Sequence, residues 1–308
     1  MPIDAATLAG PGPVAVTVIA REGDAPSRDL GMARLRALEG AGEPRPLGPE
    51  AAEILFPGSG PAAFARLRTD AAAALEGLAV DCIVEPQRTR RKRLFLADMD
   101  STMIGQECID ELAAELGLKD RIAAITERAM RGEIAFEPAL RERVALLKGL
   151  DASVVDRVIE NRITLTPGAR TLVATMRASG AYAALVSGGF TLFTGPVAAM
   201  IGFDEERANE LLVEDGRLAG LVREPILGRQ AKRARLEELI AVQGVERDAT
   251  LAIGDGANDL EMLAGAGLGV AFRAKPVVAE AADARLDHAD LTALLYAQGY
   301  SRDAFVSP

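Results

Sequence analysis

The stretch Leu94-Phe95-Leu96-Ala97-Asp98-Met99-Asp100-Ser101-Thr102 constrains this chain more than any other. Four apolar residues are too few for an independent helix and enough for a buried strand, and they run directly into two carboxylates and two hydroxyls. Such a strand brings Asp98 out at the rim of a sheet. Asp100, two residues on, points into the same space if the chain stays extended. Two acids sharing one pocket must differ in role or share a cation. A lone pair of this kind is more often a solvated strand end, so its meaning depends on what else reaches the same edge.

From Pro167 onward, helix and strand patterns alternate. Ala169, Leu172, Val173 and Met176 form a helix stripe closed by Gly180. Residues 181–186 read as a buried strand, followed by a glycine loop at Ser187-Gly188-Gly189 and a short helix. Residues 211–222 read as a hairpin around Asp215-Gly216. Leu236, Leu239 and Ile240 mark a helix stopped by Gly244, and residues 250–253 and 268–272 are two further strands, the first ending at Gly254-Asp255. Alternation of this kind with continuous apolar strands predicts a parallel sheet covered on both faces. Ligands of open α/β sheets bind outside the carboxyl ends of the strands. Asp98, Ser187 and Asp255 are therefore expected at one edge. The uncharged run 178–203 has the length of a membrane span, but its Ser-Gly-Gly, Thr191, Thr194 and Pro196 divide it, and no membrane partner is expected.

Residues 105–166 carry four helix stripes separated by brief turns. Inserted directly after the acidic strand, they predict a four-helix cap over its end. Residues 1–87 carry the order strand, helix, strand, strand, helix, strand, with helices over about 28–39 and 62–78, which is the ferredoxin-like α+β arrangement. The run Arg88-Thr89-Arg90-Arg91-Lys92-Arg93 between the two regions reads as a solvated basic linker over 88–93.

Charge narrows the partners. The 308 residues carry a net charge of −10, and all of it falls in residues 94–308, because acids and bases balance over 1–93. That leaves no nucleic-acid footprint, and a phosphorylated substrate would need local cations and a metal to enter. Cys82 and Cys108 match neither a disulfide framework nor a zinc cluster, which points to a reducing compartment, the cytoplasm. The N-terminus lacks the basic region of a signal peptide. The pattern leaves room for a homodimer.

Asp98, Asp100, Asp255, Asn258 and Asp259 form an oxygen-rich set without imidazole or thiolate ligands, which suits Mg²⁺ before Zn²⁺. Ser187-Gly188-Gly189 at a strand end offers a hydroxyl and open backbone to an anion. Lys232, opening the helix after the hairpin, can add a positive charge. Decoys are weak by comparison: Gly254-Asp255-Gly256-Ala257-Asn258-Asp259 lacks the third glycine of a dinucleotide fingerprint. His288, the only histidine, reads as a surface-loop residue, which disfavours a Ser-His-Asp hydrolase.

Taken together, Asp98-Met99-Asp100-Ser101-Thr102, Ser187-Gly188-Gly189-Phe190, Lys232 and Gly254-Asp255-Gly256-Ala257-Asn258-Asp259 resemble the four motifs of the haloacid dehalogenase superfamily. Glu107-Cys108-Ile109-Asp110-Glu111 and the run from Phe136 to Val144 are similar to its phosphoserine phosphatases. The resemblance implies a Rossmann-like core over 94–104 and 167–308, a helical cap, Mg²⁺, and hydrolysis of phosphoserine as the last step of serine biosynthesis. The N-terminal region is similar in layout to an ACT-like domain. Carried over by residue, Asp98 is the nucleophile, and Asp100 is the general acid and then base. The metal is held by the side chains of Asp98 and Asp255 and the backbone carbonyl of Asp100. Lys232, Ser187 and Gly188 would neutralise the phosphoryl oxygens, with Asn258 and Asp259 orienting the shell. Glu107 would take the substrate ammonium and Arg143 its carboxylate, while Met130 and Phe136 exclude water. Alternatives are a related phosphatase or phosphotransferase acting on phosphothreonine or homoserine phosphate, and a receiver-like signalling protein, which would lack the helical insertion and the second acid.

Overall fold

The computed structural model describes residues 12–58, 60–130 and 133–307; the side chains of residues 129 and 130 lie outside the description, and with them the expectation for Met130. Strands β1 (Val14–Ala20), β2 (Arg45–Pro46), β3 (Ala51–Phe56) and β4 (Val80–Pro86) form an antiparallel sheet in the order β2-β3-β1-β4. Helices α1 (Ala25–Arg36) and α2 (Pro61–Ala74) cover one face, where Val16, Val18 and Ile54 pack with Met32, Leu35 and Ala71. Alternate residues point the other way. Ile19, Leu47, Ala51 and Ile83 join the apolar cluster of the C-terminal region, so β1 is buried along its whole length.

The six-stranded sheet is centred on β5 (Leu94–Ala97), whose four residues are fully buried. The chain then enters the cap through α3 (Cys108–Glu115), α4 (Lys119–Met130), α5 (Phe136–Ala145) and α6 (Val154–Asn161). Its way out lies beside its way in: Ile104 bridges Leu165, and the Gly105 N–H donates to the Thr164 carbonyl at 3.0 Å. After α7 (Ala169–Ala178) come β6 (Tyr182–Phe190), α8 (Thr191–Ile201) and β7 (Glu205–Asn209). The hairpin of β8 (Leu211–Glu214) and β9 (Arg217–Val222) turns at Asp215 and Gly216, both at positive φ, and hydrogen-bonds to the cap through Leu218 and Leu150. The remainder runs α9 (Arg229–Gln243), β10 (Thr250–Gly254), α10 (Leu260–Leu263), β11 (Leu268–Phe272), α11 (Pro276–Ala281), β12 (Ala284–Leu286) and α12 (Ala293–Ala297). The sheet is parallel throughout in the order β12-β11-β10-β5-β6-β7, which puts the ends of β5, β6 and β10 side by side.

Two sequence expectations change, and two edge strands appear that the sequence did not announce. The glycine segment is no loop: β6 continues through Ser187-Gly188-Gly189 to Phe190, with a register shift against β7 between Val186 and Phe190. Edge strands β7 and β12 carry too little apolar sequence to announce themselves. The basic run is not a solvated linker, because Arg90 and Lys92 are buried, paired with Glu53 of β3 and Glu85 of β4. Lys92 also donates to the Asp248 carbonyl at 2.9 Å, and the Asp81 carboxylate accepts the N–H groups of Asp287, His288 and Ala289. These polar contacts fasten the N-terminal sheet to the core. His288 is half-buried in that turn. Among the described residues, no helix is long and apolar enough to cross a membrane.

Candidate active site

At the end of β5 the chain turns sharply, with Ser101 at φ 53°, so that Asp98 and Asp100 are presented within one turn. Asp98 is 4% exposed. Its Oδ1 accepts the Met99 N–H at 2.7 Å and faces the Lys232 Nζ at 2.7 Å, while its Oδ2 accepts from Asn258 Nδ2 at 3.4 Å. Lys232 comes from the first turn of α9 and also reaches Asp259 Oδ1 at 2.6 Å. The other oxygen of Asp259 accepts the Gly256 N–H at 3.0 Å. A Cβ on Gly254 would fall 2.5 Å from that oxygen, so only glycine lets β10 end against it.

Asp255, just beyond β10, accepts the Thr102 hydroxyl at 3.3 Å. Burial first, then the charges of Asp98 and Glu107, push its pKa up to about 6. Oxygens of Asp98, Asp255 and Asp259 lie within 4.8 Å of one another, a spacing that one cation can bridge. The donors are carboxylates alone, as a hard divalent ion requires. Both oxygens of Asp259 are held by N–H partners at 2.6 and 3.0 Å, and Oδ1 of Asp98 is held by Met99 and Lys232. That leaves Oδ2 of Asp98, with only the 3.4 Å contact from Asn258, and Asp255 as the freer ligands.

Asp100 is held by the cap. Its Oδ1 accepts the N–H of Cys108, the first residue of α3, at 3.0 Å. Burial, then Glu107 and Asp98, push its pKa up to about 7. The end of β6 passes close by: a Cβ on Gly189 would lie 2.8 Å from Asp100 Oδ2. Ser187 is buried there, its Oγ accepting the Gly189 N–H at 2.9 Å.

From the cap, the ring of Phe136 lies over both Gly188 and Gly228, 3.5 Å from where a Cβ would sit on either. Glu107 accepts the Ser101 hydroxyl at 2.7 Å. Arg143 donates from Nη1 to Thr126 Oγ1 at 3.3 Å; burial lowers its pKa, opposed by the charges of Asp110, Glu107 and Asp100. The structure thus gathers Asp98, Asp100, Glu107, Ser187, Gly188, Lys232, Asp255, Asn258 and Asp259 at one sheet edge, with Phe136 and Arg143 on the cap side. Sequence reasoning passed over Thr102, although it stands inside the acidic motif, and Asn209, which no local pattern marked. It also passed over Lys275, whose charge lowers the pKa of both Glu107 and Asp255.

Comparison with known proteins places this geometry. Residues 95–264 match the family model of the haloacid dehalogenase-like hydrolases. A phosphoserine phosphatase of Streptomyces coelicolor is 47% identical over 77% of this chain, and the chain spans 58% of that relative's length. A crystal structure of a haloacid dehalogenase family hydrolase from Salmonella enterica serovar Typhi superposes with a TM-score of 0.79 at 30% identity, covering 92% of this chain and 97% of the other. A solved phospho-aspartyl intermediate analogue of phosphoserine phosphatase has a TM-score of 0.63 at 41% identity, covering 67% of this chain and 98% of its own.

Proposed function

The chain belongs to the haloacid dehalogenase-like hydrolase family, and we propose that it is a Mg²⁺-dependent phosphatase converting O-phospho-L-serine to L-serine and phosphate through an aspartyl-phosphate. One observation carries the reading: a buried carboxylate, Asp98, faces Lys232 and Asn258, while a second carboxyl two residues on is held with its pKa near 7.

Asp98 attacks phosphorus, and the bond from phosphorus to the serine oxygen breaks as Asp100 delivers its proton to that oxygen. Asp100, now a carboxylate, takes a proton from the water that attacks phosphorus of the aspartyl-phosphate, and phosphate leaves as the acyl-phosphate P–O bond to Asp98 breaks and frees the Asp98 carboxylate. Lys232, Ser187 and Gly188 face the phosphoryl oxygens. Mg²⁺, held by Asp98 and Asp255 with the Asp100 carbonyl, would supply charge neutralisation of those oxygens. Thr102, Asn258 and Asp259 fix these groups in place.

Specificity falls to the cap, taken as residues 105–166. Glu107 takes the substrate ammonium and Arg143 its carboxylate, and Phe136 closes over the glycines to keep water out. The N-terminal sheet is taken as an ACT-like domain, and the two free cysteines suit the cytoplasm. The reading is tested by phosphate release with Mg²⁺ from phosphoserine, phosphothreonine and homoserine phosphate. Phosphoserine should be turned over fastest; equal rates on all three would remove the phosphoserine assignment.

A further inference from the structure

Strand β7 ends in Asn209, which is 2% exposed. A buried carboxamide is costly unless its polar atoms are paired, and among the described residues this one pairs only with main chain. Its Oδ1 accepts the Leu227 N–H at 2.7 Å, and its Nδ2 donates to the Leu227 carbonyl at 3.3 Å and to the Gly188 carbonyl at 2.9 Å. Two bonds therefore grip Leu227 as a neighbouring strand would, and the third reaches the end of β6.

The joined segments carry different halves of the site. The Gly188-Gly189 peptide runs between Ser187 and Asp100: its carbonyl is held by Asn209 and its N–H donates to Ser187 Oγ at 2.9 Å. Leu227 leads into Gly228, whose carbonyl accepts the Ala231 N–H at 3.0 Å to open α9, the helix that brings Lys232 to Asp98. Phe136 rests on Gly188 and Gly228 together. One side chain thus sets the spacing between the anion-facing strand end, the lysine-bearing helix and the floor beneath the cap's ring.

We propose that Asn209 is a positioning residue for phosphate recognition: its amide holds Gly188 and the start of α9 at the separation that lets Ser187, Gly188 and Lys232 face one phosphoryl group. This rests on the phosphatase reading above and adds to it a residue that touches neither substrate nor reacting atoms. Asn209→Asp keeps the shape and the acceptor for Leu227 but loses both donations; Asn209→Ser removes the reach to Gly188.

The test measures three things in the Mg²⁺-loaded full chain: phosphate release from phosphoserine and from p-nitrophenyl phosphate, inhibition by inorganic phosphate, and the rise in melting temperature that inorganic phosphate causes. Displacement of phosphate-facing groups by an ångström should cost roughly 10²-fold in kcat/KM on both substrates alike, with the inhibition constant for phosphate rising in parallel. A lower melting temperature with an unchanged inhibition constant would overturn the proposal, because a purely architectural amide behaves that way. Failure of both variants to fold would overturn it too. If the wild type releases phosphate from no monoester, the phosphatase reading falls, and the melting shift caused by phosphate still decides for or against Asn209.

Discussion

The Lys232 ammonium stands 2.7 Å from Oδ1 of Asp98, with both side chains buried. Burial opposes the lysine's charge, but Asp259 and Asp98 outweigh it and hold its pKa above the ordinary lysine value. The ammonium is thereby fixed between a proposed nucleophile and a buttress whose other oxygen is tied to Gly256. Lys232→Met should leave two buried carboxylates facing each other without a cation. A loss of about 3–5 kcal/mol in denaturant unfolding is expected, together with loss of turnover. An unfolding midpoint equal to the wild type's would show that the lysine adds nothing to the fold.

Asp100 supplies the pH dependence. With its pKa pushed up to about 7, the carboxyl is protonated below that pH and ionised above it, so the step that needs a proton donor weakens as pH rises through neutrality. A cation bound at Asp98 favours the carboxylate and moves this limb to lower pH. Asp100→Asn should slow phosphoserine hydrolysis by roughly 10²–10⁴ and abolish the limb in the kcat/KM profile. Near-normal turnover would remove Asp100 from the acid-base role.

Much of this site was legible because its signals are local. A four-residue apolar strand ending in Asp98 and Asp100, or β10 ending in Gly254 and Asp255, advertises both burial and chemistry within a few residues. Strand β7 does not. Its Glu205 and Glu206 find partners only after folding, Glu205 accepting the Tyr182 hydroxyl at 2.8 Å and Arg235 Nε at 2.8 Å, and Glu206 accepting from Thr194. An edge strand satisfied by distant side chains leaves no hydrophobic period to detect, and Asn209 was lost with it. Arg90 and Lys92 misled for the same reason, since Glu53 and Glu85 are known as partners only once the N-terminal sheet is docked.

That docking makes its own prediction. Arg90→Ala should leave Glu53, which is fully buried, with Arg45 as its remaining partner. With Arg45 still paired to Glu53, the loss should be smaller than the roughly 3–5 kcal/mol of stranding a buried charge, so stability should fall while the folded variant keeps phosphoserine turnover within about twofold. Wild-type stability, measured by urea unfolding, would restore the view of the basic run as a solvated linker.

Arg143 separates specificity from chemistry. It sits on α5 among Asp110, Glu107 and Asp100, anchored by hydrogen bonds to Thr126 and Ala139 and, among the described residues, by no ion pair. If it receives the substrate carboxylate, Arg143→Ala should penalise phosphoserine heavily and an aryl phosphate lacking that carboxylate hardly at all. Equal losses on both would mean that the arginine supports the cap instead.

The metal prediction turns on Asp98 having two duties. As proposed ligand and nucleophile, it must give one oxygen to the cation and keep the other for phosphorus, and the carboxylates of Asp98, Asp255 and Asp259 lie close enough to surround one ion. Mg²⁺ demands near-octahedral geometry and takes a single oxygen from each carboxylate, whereas Ca²⁺ accepts about six to eight ligands and binds carboxylates through both oxygens. Both ions should raise the melting temperature, and Asp255→Asn should abolish that rise. Only Mg²⁺ should support phosphate release, with Ca²⁺ competing against it while phosphoserine still binds. Full activity in Ca²⁺ would argue that the attacking group is not Asp98.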